Sequence, residues 1–126
     1  MPAAVQYLDK PNIIEIVYDG VISPQELIDA AKDAIRESKD HGSKLILADC
    51  TRLEGGHSIA DLLDLILLFG ELGIDRSYRE AIVLPSLAHQ LGNVEFFETA
   101  CLNRGYNVRL FGTREAGMGW LGEFLG

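Results

Sequence analysis

The segment Lys44–Cys50, KLILADC, places four apolar residues in a row, Leu45 to Ala48, without the alternation of a half-solvated strand. A strand of that kind is covered on both faces. The run EAIVLP, Glu80–Pro85, has the same character. Two such strands require a sheet with packed layers above and below it, and helices are the natural covering.

The intervening segments supply them. Val5–Leu8 and Ile13–Tyr18 read as strands joined by a short turn containing Pro11 and Asn12, hence as an antiparallel hairpin. In the second strand Ile14, Ile16 and Tyr18 share one face, and Ile13, Glu15 and Val17 share the other. Ser23, Pro24 and Glu26 form a helix start with a capping box, Leu27, Ile28, Ala31, Ala34 and Ile35 form its apolar stripe, and His41-Gly42 ends it. Ser58 and Asp61 repeat the capping-box spacing and open a second helix, ended by Gly73. A third helix is expected over NVEFFETACLNRG, with Val94, Phe97 and Cys101 on one face, followed by the strand YNVRLF. Thr113 caps a last helix, REAGMGWLGEFL, which three glycines weaken and which relies on docking Trp120, Leu121, Phe124 and Leu125. The order β-β-α-β-α-β-α-β-α predicts a single α/β domain over residues 1–126. Its mixed sheet of about five strands starts with the hairpin and continues parallel, with about four helices.

The formal charge of −8 opposes a nucleic-acid surface, and Arg104, Arg109 and Arg114 are interleaved with Glu95, Glu98 and Glu115. Cys50 and Cys101 lack metal-ligand spacing and read as free thiols of a reducing compartment. The opening MPAAVQYLDK has neither the basic nor the apolar region of a secretion signal, and no apolar run is long enough to span a membrane. A cytoplasmic protein is expected.

Chemistry-bearing side chains collect in LILADCTRLEGGHS. Asp49, Cys50, Thr51 and His57, with Ser86 after the next strand, form a candidate cleft at the strand ends. Asp49 and Cys50 are strand neighbours whose side chains point to opposite faces, so one site using both is awkward. Cys50, His57 and His89 lack the spacing of a metal site, and EGGHS lacks the spacing and lysine of a phosphate loop. No catalytic residue, metal or cofactor is expected. Asp49 fits a structural role, accepting hydrogen bonds from loop amides or pairing with Arg52 or Arg79.

The helix opened by Ser58 is apolar over most of its circumference, and Asp61, Asp64 and Glu71 fall on one narrow stripe. Something besides its own sheet must cover it: a second copy or protein partner, an apolar ligand, or neighbouring helices. Ile59, Leu62, Leu65, Ile66 and Phe69 are therefore candidates for a dimer surface or a ligand lid. Phe96, Phe97, Phe111 and Trp120 are the aromatics available to line a cavity.

From about Val5 to Leu121, this element order resembles the SpoIIAA-like family of the STAS superfamily, a fold related to the CRAL-TRIO lipid carriers. The resemblance rests on DGVISPQELIDAAKDAI, KLILADC ending near Asp49, REAIVLP and YNVRLFGTREAGMGWL, including the spacing of Arg109, Phe111, Ala116 and Trp120. It implies a non-enzymatic regulatory domain that binds protein partners, and the apolar helix Ile59–Leu72 adds the expectation of a homodimer; the relation to lipid carriers gives the alternative, a carrier or sensor of a lipid or other apolar small molecule. In STAS regulators a kinase phosphorylates a serine at the start of the helix after the central strand. Ser58 occupies that position, although the chain reads Gly55-Gly56-His57-Ser58 where the family motif has aspartate–serine–serine or threonine–glycine.

Overall fold

The computed structural model describes residues 2–125. Strands β1 (Ala3–Leu8) and β2 (Ile13–Val21) form the antiparallel hairpin, with Val5 opposite Ile16. Helix α1 (Pro24–His41), strand β3 (Leu45–Gly55), helix α2 (Ile59–Glu71), strand β4 (Arg79–Val83), helix α3 (Ala88–Asn103), strand β5 (Asn107–Phe111) and helix α4 (Arg114–Gly122) follow. The five strands lie in sequence order, and every pair after the first is parallel.

That order decides the layering. Right-handed crossovers advancing one strand at a time all pass over the same face of the sheet. Helices α1, α2 and α3 accordingly share one face, above Ile14, Ile16, Ile46, Ala48, Cys50, Ile82 and Val108. The other face, with Ile13, Leu45, Leu47, Ala81 and Val83, is covered by α4 through the fully buried Leu121. Helix α4 comes close because Gly117 has no side chain: a Cβ there would lie 3.2 Å from Leu47 Cδ1 and 3.4 Å from the Ala81 methyl. The glycine that lowers helix propensity thus permits the docking that offsets it. Phe124 and Leu125 lie beyond the end of α4 rather than within it.

Several boundaries differ from the sequence expectation. Strand β3 continues to Gly55, because β2 runs on to Val21 and pairs with it through two register shifts. Thr51–Glu54 are therefore strand, not loop. Helix α3 starts at Ala88, five residues earlier than its apolar pattern suggests, and no side chain caps it. His89 lies in its first turn.

Both predicted capping boxes form. Glu26 N lies 3.1 Å from Ser23 Oγ, and Asp61 N lies 3.2 Å from Ser58 Oγ. The link from β3 to α2 is held by the end of β2: Ile22 N donates to Gly55 O at 2.7 Å, and His57 Nδ1 lies 2.9 Å from Ile22 O. Gly56 sits between these contacts with φ of 102°, and a Cβ on it would stand 2.5 Å from Ile22 O. Backbone strain and steric overlap both oppose a side chain there. Replacing Gly56 with Ala is expected to lower stability by roughly 3 kcal/mol, read as a shift in urea midpoint at constant slope.

Candidate functional site

Helix α2 meets the rest of the domain in an unusual way. Its backbone packs against α1 and α3 and stands off from the strands. Leu62, Leu65, Ile66 and Phe69 form its buried arc. Beneath them lies a cavity of about 100 Å³, floored by the sheet and walled almost wholly by apolar side chains. Leu62, Leu65 and Phe69 line it from above. Of the four aromatics named from the sequence, only Phe97 reaches this wall; Phe111 and Trp120 pack together on the opposite face of the sheet, ring centroids 5.7 Å apart. His57 and Asn93 border the cavity near the carboxyl ends of the strands, and Asp75 and Asn107 border it at the other end.

One carboxyl faces this interior. Glu80 precedes Ala81 on β4, and strand alternation sends Ala81 toward α4 while Glu80 and Ile82 point beneath α2. Glu80 is half-buried and lines the cavity. Among the described residues, no hydrogen-bond donor or cation pairs with its carboxyl. Desolvation alone pushes its pKa up to about 7. The nearby titratable groups are Tyr18 on β2, Cys50 on β3 and Cys101 on α3, and the Glu80 charge helps to raise all three. Glu80 belongs to no chemical motif in the sequence. The available signal was period two, which puts this carboxyl on the same face as Ile82 in a doubly covered strand.

The candidate cleft at the strand ends divides in two. Asp49, Thr51 and Ser86 form one group: Asp49 Oδ1 accepts from Thr51 N at 3.0 Å and from Thr51 Oγ1 at 2.7 Å, and Ser86 N donates to Thr51 O at 3.2 Å. Asp49 thus anchors a backbone amide, whereas Arg52 pairs with Asp19 at 3.4 Å and Arg79 lies over the Phe124 ring. Cys50 and His57 form the other group, on the cavity side. No hydrogen bond joins Cys50 to His57 among the described residues, and burial pushes the Cys50 thiol well above its usual range. A buried thiol held protonated is a poor nucleophile. His57 Nδ1 faces a carbonyl, which can only accept, so Nδ1 carries a proton and the ring tethers the α2 approach to Ile22. Ser58 is exposed, and its hydroxyl, 3.0 Å from Asp61 Oδ2, also accepts from Asp61 N. The Ser58 backbone amide, which donates to Asp61 Oδ2 at 2.7 Å, and after it the Ser58 hydroxyl hold the Asp61 carboxyl below the usual carboxylate range.

The Glu80 environment has a consequence for pH. The folded state holds the Glu80 proton more tightly than the unfolded chain, so its contribution favours folding at low pH. That contribution is lost as pH rises from the ordinary carboxylate range, near 4.3, to about 7. Glu80→Gln removes the ionisation and should raise stability at pH 8 by roughly 3.5 kcal/mol while flattening this part of the stability–pH curve. Denaturant titrations at pH 5 and pH 8 check this, and an unchanged pH dependence would contradict it.

No protein-family model matches the chain, and no curated protein sequence matches it. Solved structures do. One is an uncharacterised protein of the DUF3478 family with a SpoIIAA-like fold from Shewanella loihica PV-4, with a TM-score of 0.59 and 17% identity over 94% of this chain and 91% of the other. Another is an anti-sigma factor antagonist from Mycobacterium paratuberculosis, with a TM-score of 0.58 and 14% identity over 94% of this chain and 92% of the other. The shared property at these identities is backbone architecture, and this chain has the SpoIIAA-like fold.

Proposed function

We propose that this protein is a non-enzymatic, cytoplasmic regulatory domain of the STAS type that acts through protein contact and pairs with a second copy along α2. The carrying observation is the outer stripe of that helix. Ile59, Leu63 and Leu67 follow one another at intervals of four and are 44%, 36% and 57% exposed, and Val21, 63% exposed, lies beside Gly56 at the start of the same element. Such a stripe gains free energy when a partner covers it. The contact assigned to α2 therefore uses Ile59, Leu63 and Leu67, because Leu62, Leu65, Ile66 and Phe69 already face inward. Fold likeness to an anti-sigma factor antagonist supports a regulatory role. So does the dispersal of the nucleophile candidates.

Ser58 adjoins this stripe. A phosphate on its hydroxyl would replace the bonds to Asp61 and add nearly two negative charges beside Ile59 and the Asp61 carboxylate. In this reading the modification weakens the apolar contact.

A second reading rests on a different observation. The cavity beneath α2 supports a carrier or sensor of an apolar small molecule, with Leu62, Leu65 and Phe69 as the underside of a lid.

Size exclusion with light scattering is expected to give twice the 13.9 kDa chain mass for the wild type. Leu67→Asp should raise the dimer dissociation constant at least about tenfold by placing a charge in the apolar contact. A wild-type monomer at all concentrations would overturn the dimer.

A further inference from the structure

Two glutamates lie inside this domain, and their surroundings differ. Glu15 is 5% exposed on the α4 face, where Arg114 Nε reaches Oε2 at 2.9 Å and Gln6 Nε2 reaches Oε1 at 2.9 Å. A buried carboxylate ordinarily has such partners, because leaving it unpaired is costly. Glu80 faces the cavity without one among the described residues, and no lysine or arginine lines that cavity.

We propose that the cavity beneath α2 binds a small apolar molecule bearing one basic nitrogen, its ammonium paired with the Glu80 carboxylate. This rests on the carrier or sensor reading and names its ligand chemistry. Three features select the cation. A carboxylate ligand would set a second negative charge against Glu80 in an apolar enclosure, where like charges repel strongly. A neutral hydrocarbon would fill the space and leave the carboxyl unpaired. An ammonium supplies the missing charge and donors, and the chain's net charge of −8 favours its approach. Phe69 stands edge-to-face with both Phe97 and Tyr106, at 6.1 and 5.7 Å between centroids, giving an aromatic wall suited to a ring or short alkyl body. Size limits the body. The cavity, about 100 Å³ and partly open to solvent, is smaller than the roughly 150 Å³ that accepts benzene, so a single ring would fill it and reach its opening, and a long acyl lipid would not fit.

Benzylamine, toluene and benzoate share a ring and differ in charge. Titrated at pH 8 into the wild-type protein and Glu80→Gln, and followed by amide chemical shifts, they separate the claims. The expected result is that benzylamine binds the wild type at least tenfold more tightly than toluene or benzoate. Its shifts should centre on Leu65, Glu80 and Ile82, and Glu80→Gln should lose that tenfold advantage while keeping its toluene affinity. If toluene binds as well as benzylamine, or Glu80→Gln retains the preference, the amine assignment is overturned and the apolar cavity stands. If none of the three binds, the carrier or sensor reading falls with it. The toluene affinity retained by Glu80→Gln shows that the variant folds, so loss of the amine preference reports on the carboxyl.

Discussion

Three helices share one face of this sheet, and the middle one rests on its neighbours. Sequential parallel strands joined by right-handed crossovers bring α1, α2 and α3 to the same side. Helix α1 packs on the hairpin, α3 packs on β5 and β3, and α2 bridges the two helices. The space under α2, the apolar stripe on its outside and the exposure of Ser58 at its start all follow from that position. What fixes the position is local: a capping box at Ser58 and Asp61, the His57 tether to Ile22, and a glycine at position 56 where no Cβ fits.

The electrostatics follow the same division. On the narrow face, α4 brings Arg114 to Glu15 across 99 residues of sequence, and the buried carboxylate is neutralised where the chain is tightly packed. On the wide face, α2 brings only Leu62, Leu65 and Phe69 over Glu80. One glutamate is therefore paired, and the other borders the cavity with no cation beside it among the described residues. The same architecture leaves an apolar stripe on the outside of α2 and an apolar cavity beneath it. A ligand that orders α2 from below would also alter the stripe presented above, so the two readings are physically compatible.

Much of this arrangement was legible in the sequence. The hairpin, the doubly covered strands and both capping boxes are local patterns, and local patterns survive folding when the surroundings agree with them. The excess apolarity of α2 was also visible, but its division into a buried arc and an outer stripe depends on where α1 and α3 lie. Strand β3 reaches Gly55 because β2 continues beside it, a pairing that TRLEG does not announce. Helix α3 begins without a capping side chain, so nothing local marks Ala88. Period two places Glu80 on an inner face, but whether a cation stands opposite is a question of tertiary packing. Arg114 could have answered either glutamate; the placement of α4 decides that it answers Glu15.

The most direct measurement is the titration of the Glu80 side-chain carboxyl by carbon-detected NMR in the free protein. An unpaired carboxyl in an apolar cavity should titrate with a midpoint near 7. A midpoint near 4.3, that of a carboxylate in water, would contradict the account, because Glu80 would then be solvated or paired rather than desolvated beneath α2.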